Sequence, residues 1–253
     1  MTPRIAIPVP HSADREYAER ALVQYEQAIE ASGAEPVRIP LDGAAANVMV
    51  LVAGCLGTLL PGSRADVDPR RFAAPPHAKT EPADLRREAV DKLLLDDAYR
   101  LRKPLLGICY GLQSLNVYRS GTLLQHIESS VNHEAGRKLP VAHMVAIEPK
   151  SKLGRILAPR EGRGELVIPA NSSHHQAADV VGSGLRIVAR CPDDAVIEAL
   201  EGTDSEHFVV AVQWHPERSF ADDERSRWIF KAFIEAASER FPRHLEGVDL
   251  ARK

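Results

Sequence analysis

The segment 104–116 reads PLLGICYGLQSLN, with Gly107, Cys109 and Gly111 spaced G-x-C-x-G between an apolar run of strand length and a helical run. This pattern serves a nucleophile on a tight strand-to-helix turn. Small neighbours let the backbone bend sharply and leave the side chain at the carboxyl end of a sheet. The helix start is expected to lower the thiol pKa, because its dipole and free N–H groups favour the thiolate. The N–H of Tyr110 would face the oxygen that gains charge during acyl transfer. A cysteine nucleophile needs a base, and the base needs an orienting group. The segment FVVAVQWHPER supplies His215 and Glu217 after an apolar run, with Pro216 stiffening the link. Residues i and i+2 of an extended chain share a side. His215 is therefore expected to reach Cys109, with Glu217 holding the imidazole from behind as in a nucleophile–histidine–carboxylate triad.

These residues must be carried by surrounding elements, and hydrophobic periodicity indicates which. Apolar runs predict strands at 4–9, 36–40, 48–52 and 104–108. Helical spacing predicts helices at 14–32, capped by Gly33, at 84–101, with a stripe of Leu85, Ala89, Leu93 and Ala98, and at 112–119. Residues 64–82 are polar and proline-rich, a long surface excursion of the kind that is often functional. In the second half, strands are expected at 141–147, 165–168, 185–189, 196–200 and 208–212, and a closing helix at 222–240. The tail HLEGVDLARK is polar. Early alternation of helix and strand followed by clustered strands predicts an α/β fold. The expectation is a single domain over 1–253, with a mostly parallel central sheet, helices on both faces and an added antiparallel portion.

GICYGLQ together with VQWHPE resembles a class I glutamine amidotransferase domain. More narrowly, the chain is similar to the gamma-glutamyl-gamma-aminobutyrate hydrolase family. Further matching pieces are LLPGSRADVDP at 59–69, SGTLLQHI at 120–127, NSSHHQ at 171–176 and VIEALE at 196–201, in family order along nearly the whole chain. The resemblance implies a flavodoxin-like three-layer fold and a Cys109–His215–Glu217 triad. That triad would cleave a gamma-glutamyl amide in a small molecule through a gamma-glutamyl thioester. It also implies a second oxyanion-hole N–H from Gly62 or Ser63 beside that of Tyr110. Gln113 would help hold the glutamyl group, and Ser173 and His174 would contact its amino-acid head. The chain departs from the family at Tyr110, where Arg is frequent, and at Asp193-Asp194, where an Asp-Gly turn is usual.

Composition bounds the alternatives. The chain has 253 residues, with 32 Lys+Arg against 35 Asp+Glu and a net charge of −3, which disfavours nucleic acid as a partner. Three cysteines, Cys55, Cys109 and Cys191, indicate a reducing, cytoplasmic setting. No membrane association is expected: the start lacks a signal-peptide pattern, and the uncharged stretch 43–63 is interrupted by Asn47, Gly54, Gly57, Thr58, Pro61 and Gly62. No cofactor and no metal is expected. His126, His133, His143 and His207 are scattered in sequence, and the adjacent His174 and His175 should diverge. The absence of G-x-x-x-x-G-K-[ST] argues against an ATP-driven synthetase. A glutaminase subunit passing ammonia to a separate synthetase is the second reading, and a binding protein on an inactive scaffold the third. A homodimer is left open.

Overall fold

In the computed structural model the described residues are 2–137, 139–158 and 166–239. Alternating side chains on the strands bury both faces of one sheet. On β1 (Arg4–Pro8), Ile5 and Ile7 join one apolar cluster while Ala6 joins the other. The same alternation runs through β3 (Gly57–Leu60), β4 (Leu105–Ile108) and β11 (Val209–Val212), whose residues are all buried. Such two-sided burial belongs to a parallel sheet covered by helices on both faces.

The first cluster lies under α1 (Arg15–Ala31) and α7 (Glu224–Glu239), which contribute Leu22, Ile29, Phe230 and Phe233. The second lies under α2 (Ala45–Ala53), α3 (Leu85–Leu101) and α4 (Tyr110–Tyr118), through Val48, Val52, Leu94 and Leu115. The remaining strands are β2 (Glu35–Ile39), β6 (His143–Ile147), β7 (Leu166–Ala170), β9 (Leu185–Arg190) and β10 (Ile197–Gly202). The sheet order is β2-β1-β3-β4-β11-β10-β9-β6-β7. The pairings from β2 to β11 are parallel, and those from β11 to β7 are antiparallel. A separate ribbon joins β5 (Leu123–Leu124) to β8 (Ala177–Ala178). The expected α/β class with an antiparallel extension is what the chain adopts.

Two local expectations are corrected. Residues 48–52 lie in α2, not in a strand. Val48 and Val52 are buried one helical turn apart, whereas Val50 is 74% exposed. The apolar run thus follows the helical period, and the strand is supplied by the following GTLL. In α3 the expected stripe holds at Ala98, which is buried, but fails at Leu85, which is 59% exposed, and at Ala89, also exposed, while Arg87, Glu88, Asp91 and Asp97 are buried. Here ion pairing lets charged side chains take inward positions. Arg87 meets Asp91 at 2.7 Å, and Lys103 meets Asp97 at 2.6 Å. Periodicity also did not reveal α5 (Lys152–Leu157), whose N-cap Ser151 accepts from the Gly154 N–H.

Candidate active site

Three adjacent parallel strands, β3, β4 and β11, end side by side. Their carboxyl ends deliver, in turn, Gly62 and Ser63, Cys109, and His215. This is the edge at which open α/β sheets bind ligands. Cys109 sits between β4 and α4 with φ 54° and ψ −107°. A positive φ at a non-glycine residue is strained, and it holds the thiol at the turn. The turn requires the next glycine, since a Cβ on Gly111 would overlap the Leu60 carbonyl oxygen. Gly62 is also closely surrounded, though less tightly. A Cβ there would lie 3.2 Å from the His215 ring, 3.2 Å from the Tyr25 hydroxyl and 3.7 Å from the Cys109 Cβ. Gly62 therefore lets the nucleophile and the base close around one backbone position.

His215 Nδ1 lies 2.7 Å from Glu217 Oε1 and both side chains are buried. The carboxylate fixes the proton on Nδ1, so Nε2 is the basic nitrogen. Nε2 is buried and has no hydrogen-bond partner among the described residues. The route to this geometry differs from the expected extended strand. β11 ends at Val212, and His215 caps the short helix α6 (Pro216–Ser219), so a turn brings His215 and Glu217 together. Asn171 fixes that turn. Its Oδ1 accepts from the His215 N–H at 3.0 Å, and its Nδ2 donates to the His215 carbonyl at 2.9 Å.

The thiol environment also differs from expectation. Burial pushes Cys109 up to about 12, although the Arg218 charge and the Tyr110 N–H pull the other way. Burial likewise lowers His215 below the ordinary imidazole value, against the raising effect of Glu217. Burial pushes Glu217 up, but His215 and Arg218 together hold it below the usual carboxylate range. The resting pair is therefore a thiol beside a neutral imidazole, with Glu217 ionised. The expected depression of the thiol by the helix start is outweighed by desolvation.

Among the expected oxyanion donors, the Gly62 N–H already donates to the Tyr25 hydroxyl at 3.1 Å. Ser63 and Tyr110 line the cleft with Cys109, and the Tyr110 N–H is close enough to the Cys109 thiol to favour its charged form. Gln113 is buried beside the cleft, its Nε2 donating to the Gln176 carbonyl at 3.0 Å and to Gln213 Oε1 at 3.3 Å. Ser173 and His174 line the same cleft, but the ring nitrogens of His174 turn to the Gln176 carbonyl and to Glu198.

The cleft holds about 590 Å³ and carries charges of both signs, including Arg64, Arg137, Arg218, Asp66 and Glu134. Arg218 was not singled out from the sequence, although it directly follows the triad carboxylate. Its Nε and Nη1 are buried without a hydrogen-bond partner among the described residues, and Nε is 3.6 Å from Glu217 Oε1. A guanidinium held this way is ready to bind an anionic group. Arg87 was also missed. Beneath the site it donates to the carbonyls of Pro10 and Pro61, and its guanidinium lies over the Tyr110 ring. The histidines do not stay apart as expected. His133, His143 and His174 converge on Glu198.

The Peptidase C26 family pattern matches residues 6–217. The chain belongs to that family, a class I glutamine amidotransferase-like family of hydrolases. It is 30% identical over 223 residues to the gamma-glutamyl-gamma-aminobutyrate hydrolase PuuD of Escherichia coli, covering 84% of each chain. It is 36% identical over 214 residues to Rv2859c of Mycobacterium tuberculosis, named as a candidate glutamine amidotransferase. That match covers 85% of this chain, and the chain spans 66% of that relative's length. Among solved structures, the glutaminase domain of Trypanosoma brucei CTPS with bound acivicin aligns with a TM-score of 0.63 at 18% identity, over 94% of each chain. This last likeness concerns the fold. Among the described residues no helix is long and apolar enough to cross a membrane.

Proposed function

We propose that the protein hydrolyses gamma-glutamyl amides of small molecules through a gamma-glutamyl thioester on Cys109. The observation that carries this reading is the buried His215–Glu217 pair, with a partnerless Nε2, packed around Gly62 beside the strained Cys109. His215 Nε2 takes the thiol proton as sulfur bonds to the amide carbonyl carbon. The N–H groups of Ser63 and Tyr110 receive the resulting oxyanion. His215 returns the proton to nitrogen as the C–N bond breaks, releasing the amine. It then takes a proton from water as water attacks the thioester, and returns it to sulfur as the S–C bond breaks and glutamate leaves. Glu217 stays ionised throughout and stabilises the imidazolium. Arg218 pairs with a substrate carboxylate, and the mixed charges of the cleft suit a zwitterionic gamma-glutamyl head. The substrate is a free small molecule, and the three unpaired cysteines fit a reducing cytoplasm.

The 36% identical relative's designation as an amidotransferase favours a second reading, a glutaminase subunit whose ammonia goes to a separate synthetase. A panel of gamma-glutamyl amides, free glutamine included, assayed on the isolated chain separates the two. The proposal expects turnover of at least one small gamma-glutamyl amine without any partner. Turnover of glutamine alone, appearing only on addition of a synthetase, would replace it with the second reading.

A further inference from the structure

On the antiparallel side of the sheet, His133, His143 and His174 close around Glu198, and all four side chains are buried. They come from four places in the chain: the loop after β5, strand β6, the loop between β7 and β8, and strand β10. Glu198 Oε1 lies 3.4 Å from His133 Nδ1, 3.4 Å from His143 Nε2 and 3.7 Å from His174 Nε2. One ligand atom from each of the four residues falls within 4.8 Å of the others.

The outward nitrogen of each imidazole faces an acceptor. His133 Nε2 is 2.8 Å from Asp194 Oδ2, His174 Nδ1 is 2.9 Å from the Gln176 carbonyl, and His143 Nδ1 is 3.2 Å from the Met144 carbonyl. A carbonyl or carboxylate oxygen can only accept, so those nitrogens carry the protons. In a neutral imidazole the other nitrogen is then a lone pair. Three lone pairs thus converge on a carboxylate. None of the three inward nitrogens, and neither oxygen of Glu198, has a hydrogen-bond partner among the described residues. Acceptors gathered in a buried place without a donor are costly, unless a cation joins them.

We propose that His133, His143, His174 and Glu198 bind a zinc ion. Metal–nitrogen and metal–oxygen bonds of about 2.0–2.2 Å in a tetrahedron put neighbouring ligand atoms about 3.3–3.6 Å apart, which the three distances to Glu198 approach. Three imidazoles and one carboxylate suit zinc, whereas calcium and magnesium take oxygen ligands. Four protein ligands close the coordination sphere, so the ion is structural. Asp194 supplies the carboxylate behind a ligand histidine that orients such sites, and it accepts in turn from the Ser129 hydroxyl at 2.6 Å. The ion's effect on the cleft is positional. Glu134 and Arg137 follow His133, Ser173 precedes His174, and all three line the cleft with Cys109. Zinc would pin both segments to β6 and β10. This inference does not depend on which amide is cleaved.

The test uses the full chain, tag removed, purified without chelator and analysed for metals by mass spectrometry. One equivalent of zinc is expected, and His143→Ala and Glu198→Gln should each reduce it at least tenfold. Asp194→Asn should weaken zinc binding about 10–100-fold. Cobalt exchanged into the wild-type chain should give the intense visible bands of a tetrahedral site. This measurement decides the matter even where a variant fails to fold. A metal-free protein that takes up neither ion from added zinc or cobalt chloride, with an unchanged melting temperature, would overturn the proposal. The cluster would then be a set of shared protons. Full zinc content in a folded His143→Ala, Glu198→Gln double variant would overturn it equally.

Discussion

At Cys109 two opposing influences meet, and their balance sets the chemistry. The helix start and Arg218 favour a thiolate, but burial dominates and keeps the proton on sulfur. The thiolate then forms only as His215 takes that proton during the reaction. His215 must be neutral to act, and its pKa lies below the ordinary imidazole value of about 6.5 because it is buried. Activity should therefore fall as pH drops through a limb below that value. Glu217→Gln removes the carboxylate charge that raises His215, so the limb should move further to the acid side. The same change should slow acylation by up to about 10²–10⁴-fold, the usual worth of assisted proton transfer. Single-turnover rates across pH test both statements. An unchanged rate and limb would reduce the triad to a dyad. This much of the site was legible in the sequence, because the G-x-C-x-G spacing and the adjacency of His215 and Glu217 are local. The thiol's burial was not, since it depends on neighbours distant in the chain, such as Tyr25 and the Gly62 turn.

Among the elements, α3 anchors the turn that carries Ser63. Arg87 on α3 pairs with Asp91, which also accepts from Ser114 of α4, and it holds the Pro61 carbonyl at 2.8 Å. Both ions of the pair are fully buried. Removing one leaves an uncompensated buried charge, so Arg87→Met should cost about 3–5 kcal/mol of stability. The double variant Arg87→Met, Asp91→Leu should recover part of that loss, the remainder reflecting the Pro10 and Pro61 carbonyls and the Ser114 hydroxyl that lose their partners. Denaturant midpoints with unchanged slopes would establish both values, whereas a loss under 1 kcal/mol for Arg87→Met would show that the pair does not anchor the turn. These buried ions explain why periodicity misread α3, since its inward face is partly charged. Strands β1, β4 and β11 were legible because their apolar runs match strand length. The run at 48–52 misled because a short apolar stretch with β-branched residues suits either state until its partners are known.

At the scale of the whole molecule, the parallel half of the sheet supplies the nucleophile and base, and the antiparallel half supplies the Glu198 cluster behind the cleft wall. The first half could be read from motifs that each lie within a dozen residues. The second could not, because its four side chains are separated by long stretches and meet only once β6, β9 and β10 pair. NSSHHQ and VIEALE marked two of the four segments involved, those of His174 and Glu198, but not their convergence. The central claim, that this convergence of strand ends makes Cys109 the group that accepts the acyl chain, is tested by one measurement. The wild-type chain, mixed with a gamma-glutamyl amide that it turns over and quenched in acid, is digested and mapped by mass spectrometry. A gamma-glutamyl adduct on the peptide bearing Cys109, absent from Cys109→Ala, is the predicted result. An adduct on Cys55 or Cys191, or full turnover by Cys109→Ala, would contradict it.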